Sequence, residues 1–235
     1  MALIFSNTND VLFDGIKAVI YGVSGVGKTT LLSTLPRPII ISSEKGLLSI
    51  AGTGIPVLVV SSYKDLEDAY AWCVDPNNSQ YFDSIGIDSI TEVSEQVLAF
   101  AKSKVKDARL AYMELADKMV EIIKKFRDIQ GKHVIMVAKI DSTKEDMTGA
   151  VKYYPSMPGS KLTQRLPYLF DEVLYVGVKT DPSTNQSYRY IQTQPDFQVI
   201  AKDRSGKLAT MEPAHLGNLI NKALGVVSNN GVVNG

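Results

Sequence analysis

The 235-residue sequence holds one cysteine, Cys73, so no disulfide can close within the chain. Its place beside Trp72 in an apolar helical stretch reads as a buried, inert thiol in a reducing compartment. There are two histidines, His133 and His215, and neither has a cysteine, carboxylate or second histidine at ligand spacing, which favours structural places over metal ligation. Charge of either sign is not in excess. Lys plus Arg and Asp plus Glu number 25 each, so nothing draws the whole chain to nucleic acid or anionic membrane, and any nucleic-acid site must be a local patch. No run approaches 18 apolar residues, and Met1 to Asp10 lacks the basic and apolar regions of a signal peptide. A soluble, cytoplasmic protein is expected. Arginine is sparse as well, limited to Arg37, Arg109, Arg127, Arg165, Arg189 and Arg204. Internal repeats are absent.

What stands out is the stretch Ile16 to Thr30, IKAVIYGVSGVGKTT, in which Gly22, Gly27, Lys28 and Thr29 fall at GxxxxGKT spacing. This is a P-loop, and its context agrees: Ala18 to Tyr21 reads as a buried strand entering the loop, and Thr29 to Leu32 as a helix leaving it. Gly22, Gly25 and Gly27 free the backbone to approach phosphates, so that N–H groups from Gly22, Val23, Ser24, Gly25, Val26, Gly27, Lys28, Thr29 and Thr30 cradle negative charge. Lys28 reaches the β- and γ-phosphates as a point charge, and the Thr29 hydroxyl sits on Mg²⁺. ATP and Mg²⁺ are the expected ligands.

Strands and helices then alternate. Ile39 to Ser43 reads as a strand ending at Glu44, Val57 to Val60 as another, and Ser62 to Asp65 as a capping box opening a helix to Val74. Ser84 to Ser89 is a strand, Thr91 to Lys106 and Ala108 to Gln130 are helices, and Lys132 to Ile140 is a strand. Asp141 to Gly159 reads as a long polar connection. After a short helix from Ser160, interrupted at Pro167, Val173 to Val178 and Tyr188 to Ile191 form a hairpin about the Asp181 to Asn185 turn. A last strand is expected over Phe197 to Ala201, and a terminal helix from Pro213 to Leu224 with Gly225 closing it. The fold class is α/β: a P-loop NTPase core with a mainly parallel twisted sheet, flanking helices and an antiparallel edge hairpin. One ATPase domain spans residues 1–225, with a flexible tail over 226–235.

Asp88 ends an apolar strand, where open α/β sheets place ligands, and reads as the aspartate that holds Mg²⁺. Its neighbour Ser89 cannot be a general base. Glu44 is the candidate instead, since it ends a strand of the same sheet and can hold a water in line with the γ-phosphate.

The strands ending Ser42-Ser43-Glu44 and Ile87-Asp88-Ser89, with the pattern after Ile135, resemble the RecA/DnaB-type ATPase core from Ile16 to Thr210. The compact chain, Tyr190 to Pro195 and Ala201 to Arg204 are similar to the small RecA-like single-strand annealing ATPases of bacteriophages. That resemblance implies further roles. Lys139 occupies the place of a γ-phosphate sensor, commonly glutamine in RecA, though a plain surface lysine is the other reading. Asp141 to Ser160 matches a DNA-binding loop, with Lys144, Lys152 and Lys161 for phosphates and Tyr153 and Tyr154 for base stacking. Lys102 to Arg109 is a second basic cluster, a DNA contact or a solvated face. Lys202 and Arg204 reproduce a KxRxG spacing that reaches the γ-phosphate of a neighbouring subunit.

The expected function is a Mg²⁺-dependent ATPase, phage-encoded and acting in the bacterial cytoplasm, that forms a homo-oligomer on single-stranded DNA and promotes annealing or recombination. The rivals are a small-molecule P-loop kinase, which needs a lid carrying several arginines, and a non-catalytic DNA-binding module gated by ATP.

Overall fold

A computed structural model of the chain describes residues 14–43, 47–144 and 149–226. Its spine is β1 (Lys17–Tyr21), buried at every position. Alternation along the strand sends Val19 and Tyr21 into one apolar cluster and Ala18 and Ile20 into another on the opposite face of the sheet. Burial on both faces is what a central parallel strand requires.

The chain continues through α1 (Lys28–Leu32), β2 (Pro38–Ser42), β3 (Val57–Val59), α2 (Tyr63–Val74), α3 (Pro76–Ser79), β4 (Ser84–Asp88), α4 (Ile90–Lys104) and α5 (Ala108–Arg127). It ends with β5 (His133–Lys144), β6 (Val151–Ser156), α6 (Ser160–Arg165), β7 (Glu172–Thr180), β8 (Ser187–Gln192), β9 (Lys202–Asp203), β10 (Met211–Pro213) and α7 (Leu216–Leu224). The strand order is β10-β8-β7-β1-β5-β4-β2-β3, with β6 paired to β5 and β9 to β7. From β7 to β3 all neighbours are parallel. β8 folds back on β7 as an antiparallel hairpin, and β10 extends that edge. This is the α/β fold of a P-loop NTPase core, a mostly parallel mixed sheet between helices with an antiparallel edge hairpin.

Helix signals act locally as sequence chemistry requires. Ser62, Ser89 and Asp107 each accept a backbone N–H at the start of α2, α4 and α5, satisfying donors that the first turn cannot pair. Leu115, Met119, Ile122, Ile123 and Phe126 recur at three- and four-residue intervals, so α5 turns one stripe onto the sheet beside the buried faces of α2 and α4. Leu31, Leu32, Leu216, Leu219 and Ile220 of α1 and α7 cover the other face.

Three expected boundaries move. The polar connection from Asp141 is a β-hairpin: β5 runs on to Lys144 and β6 returns antiparallel to it, Lys139 opposite Ser156. Backbone pairing makes this arm, and only part of it, Tyr153 included, packs on the core, so no apolar alternation announces it. Residues 197–201 make no ladder with the sheet, only a bridge from Val199 to Tyr153, and Phe197 is exposed. Pro213 closes β10 rather than opening α7, whose cap is His215, the imidazole accepting the Asn218 N–H.

Candidate functional site

Parallel pairing brings the ends of β1 and β4 to one rim of the sheet, and there a cleft of about 540 Å³ opens between the loop after β1, the end of β4 and residues 137–140 of β5. Gly25 and Gly27 take φ of 76° and 94°, which side-chained residues avoid. Gly22 is required for space instead, because a Cβ there would lie 2.5 Å from the Val176 carbonyl oxygen. Val26 turns its side chain into the core, leaving only its backbone to face a ligand, whereas Val23 and Ser24 are exposed. Lys28 folds back over the loop and donates to the carbonyls of Gly22 and Val23 at 2.8 and 3.0 Å. Thr29 and Thr30 line the cleft from the first turn of α1.

The Thr29 hydroxyl donates to Asp88 Oδ2 at 2.6 Å, although 59 residues separate them in sequence. Asp88 is almost wholly buried at the end of β4. A carboxylate and a hydroxyl at the rim of a phosphate cradle are hard oxygen donors, and Mg²⁺ is held by one or two carboxylates together with substrate phosphates. The pair fits that ion. β2 runs alongside with Ser42 opposite Asp88, and the Ser43 N–H donates to the Asp88 carbonyl at 2.8 Å. Glu44, the next residue and the candidate base, lies outside the described residues.

Lys139 lines the same cleft where β5 leaves the sheet. Its ammonium reaches Glu92 and Glu95 of α4 at 2.9 and 3.1 Å, and those hydrogen bonds, Glu92 foremost, raise its pKa. Its main chain is fixed through Thr91, whose hydroxyl accepts the Lys139 N–H at 2.9 Å and donates to the Ser156 carbonyl at 2.7 Å. The root of the β5–β6 arm is thereby tied to α4.

The arm separates the residues expected to meet nucleic acid. Register places Lys152 and Tyr154 on one face, opposite Thr143 and Asp141, and Lys144 and Tyr153 on the other. Tyr153 packs against the core, and its main chain bonds to the Gln198 carbonyl and the Ile200 N–H. Lys161 lies exposed beyond them in α6. The second basic cluster adjoins this region: the Lys102 ammonium lies 5.1 Å from the Tyr112 ring centre, and Tyr112 borders Gly159 at the head of α6.

Lys202 and Arg204 stand apart from the cleft. β9 pairs with Glu172 and Val173, at the start of β7, and Glu172 is level with Ala18. They therefore occupy the opposite rim of the sheet, about 13 Å of strand length below Gly22. Lys202 is bound to the Pro167 carbonyl at 2.7 Å and to that of Phe170, with burial lowering its pKa. Arg204 pairs with Asp171 at 2.7 Å on the surface.

Sequence reasoning missed three charged groups. Arg189 of β8 lies against Gly27 and lines the cleft, a place set by sheet register and by no local motif. Glu172 and Lys17 are buried charges at the far rim, Lys17 donating to the carbonyls of Ile129 and Lys132, with burial bringing its pKa down to about 8. The histidines have structural partners: His133 Nδ1 accepts the Ile16 N–H at 3.0 Å, and His215 caps α7. Burial pushes the Cys73 thiol up to about 12.

A search of curated proteins finds no match. The profile of the AAA domain matches residues 14–205, from the entry to β1 through the turn after β9. By that match and by the cleft it encloses, the chain belongs to the AAA domain family, a P-loop ATP-binding domain of nucleotide-dependent ATPases.

Proposed function

We propose that the protein is a Mg²⁺-dependent ATPase that assembles on single-stranded DNA and promotes annealing or recombination, phage-encoded and acting in the bacterial cytoplasm. The observation that carries the DNA-linked reading is the course of β5. One 12-residue strand lines the phosphate cleft at residues 137–140 and continues outward as one half of the arm, paired with β6, which carries Lys152 and Tyr154. A lysine and an aromatic ring on one face are the two ingredients of sequence-tolerant single-strand binding, and a shared strand links them to the state of the cleft.

In this reading Lys28 leaves the Gly22 and Val23 carbonyls for the β- and γ-phosphates, and Thr29 and Asp88 hold Mg²⁺, which neutralises phosphate charge when bound. Glu44 follows Ser43, which is bonded to Asp88, and is assigned the attacking water. Lys139 is assigned the γ-phosphate, in exchange for Glu92 and Glu95. The small-molecule kinase is disfavoured because Arg189 is the one arginine on the cleft among the described residues, short of a lid built from several.

ATP hydrolysis measured with and without single-stranded DNA, alongside a screen of small phosphate acceptors, tests the reading. Expected is Mg²⁺-dependent release of phosphate that rises about tenfold or more when DNA is added, since it completes the site in the assembled form. DNA affinity should fall steeply with salt and ignore base order. Transfer to a small acceptor, or hydrolysis by a chain that does not bind DNA, would overturn it.

A further inference from the structure

Glu172 is buried at the start of β7, on the rim away from the phosphate cleft, and what lies opposite it is a second carboxylate. β9 joins β7 through two antiparallel residue pairs, Asp203 opposite Glu172 and Lys202 opposite Val173. Residues directly opposite in such a pair turn their side chains to the same face, with Cβ atoms about 5 Å apart. Two carboxylates at that spacing, one of them shut away from water, cannot both stay charged without strong repulsion. A single retained proton relieves it.

Hydrogen bonding decides which carboxyl group carries the proton. Asp203 accepts the Ser205 hydroxyl at 2.6 Å, the Gly206 N–H at 3.1 Å and the Leu208 N–H at 3.0 Å, donors that favour its charged form. Glu172 has one oxygen, Oε2, buried with no partner among the described residues. The proton belongs to Glu172, whose pKa is lifted to about 8 by burial and then by Asp203, against the pull of the Ser205 and Arg204 main chain. No neighbouring cation takes its place. Asp171 adds negative charge and is matched by Arg204, Lys202 donates to the carbonyls of Pro167 and Phe170, and Lys17 of β1 donates to those of Ile129 and Lys132. α7, which covers the Glu172 face of the sheet, brings Lys222, paired with Glu212 of β10, and Lys207 reaches Gly225 at its end.

The turn that Asp203 ties contains Arg204, and the ladder that fastens this turn to the sheet is the pair of residues that includes the two acids. We propose that Glu172 and Asp203 are positioning residues for Arg204: a proton kept between their carboxyl groups latches residues 203–208 to the start of β7, and its loss sets two charges against each other and frees the turn. The consequence for hydrolysis rests on the ATPase reading, with Arg204 as a cation supplied in the assembled form, whereas the latch does not. The closed latch keeps a proton that the opened turn releases, so opening gains as pH rises from 4.5 through about 8.

Hydrogen exchange of the full chain, read by mass spectrometry at pH 6, 7 and 8 and corrected for the intrinsic rate, tests the latch. Amides of residues 203–208 should exchange through an opening of their own, ahead of β1, with protection falling about tenfold or more from pH 6 to pH 8. Glu172→Gln, which keeps the shape and cannot ionise, should hold that protection level. In the assembled protein, kcat relative to Glu172→Gln should fall over the same interval while KM for ATP stays within about twofold. Protection that is level with pH in the unaltered chain, a turn that exchanges only together with β1, or an unchanged pH dependence in Glu172→Gln would each overturn the latch. A turn that titrates in a chain with no hydrolysis at any pH would uphold the latch and overturn the ATPase reading. A turn that titrates while kcat holds would uphold the latch and remove Arg204 from hydrolysis.

Discussion

Glu172 shows what a single residue can cost. It is 1% exposed at the start of β7, Oε2 has no hydrogen-bond partner among the described residues, and burial, reinforced by Asp203, lifts its pKa from 4.5 to about 8. Between those values the unfolded chain has released the proton and the folded chain keeps it, so the folded state binds more protons and stability falls as pH rises through that window. Glu172→Gln removes the titration while keeping the shape. Urea midpoints taken from pH 4.5 to 8.5 should coincide at the acid end and separate in favour of the variant above pH 7, by about 1–3 kcal/mol. Parallel midpoints across the range would mean that Glu172 is ionised in the fold. Residues of this kind were not legible in the sequence. The places of Asp88 and Thr29 were, because a strand-ending aspartate and a P-loop threonine are marked by local order. Burial of Glu172 and Lys17, and the approach of Arg189 to Gly27, depend on which strands lie side by side.

The elements were legible wherever an apolar stripe or a cap marked them. Ser62 accepts the Asp65 N–H as the capping signal before α2 implies, while the return bond of Asp65 falls on the Ser61 N–H, one residue before the cap. The β5–β6 arm carried no such mark, since strand pairing there is made by Ser142, Thr143, Lys152 and Tyr154 away from the core. Its register now separates two tyrosines that the sequence leaves equivalent. Lys152→Ala combined with Tyr154→Ala should weaken single-strand binding by about 1–3 kcal/mol in fluorescence anisotropy, the scale of one stacked base, with ATP affinity unchanged. Tyr153→Ala should act on the fold instead. Its ring packs on the core, and the loss should lower the melting temperature by several degrees, for a truncation costing about 2 kcal/mol or more. If Tyr153→Ala alone abolishes DNA binding at unchanged stability, the faces of the arm have been assigned the wrong way round.

At the scale of the whole molecule the sheet has two rims, and the order of strands that creates them was not legible, since parallel neighbours are far apart in sequence. One rim carries Lys28, Thr29, Asp88 and Arg189, and the other carries Lys202 and Arg204. No rotation of side chains bridges a sheet, so a cation on the far rim can serve hydrolysis only at a neighbour's nucleotide. Of the pair, Lys202 is engaged by two carbonyls of its own chain, and the Arg204 side chain is held, among the described residues, by a surface pair with Asp171, which is worth at most about 1 kcal/mol and is readily exchanged. Arg204→Ala should therefore leave folding and ATP affinity nearly intact while lowering hydrolysis by about 10³-fold, the low end for a finger arginine. Mixing it with Lys28→Ala subunits should restore activity, because an intact cleft then faces an intact Arg204 at some interfaces. Phosphate release by the mixture, measured beside each variant alone and after sedimentation has verified mixed oligomers, decides the matter. A mixture no more active than its parts would leave Arg204 with its surface pair to Asp171 as its whole role, and the cation for the γ-phosphate would have to come from the cleft's own rim.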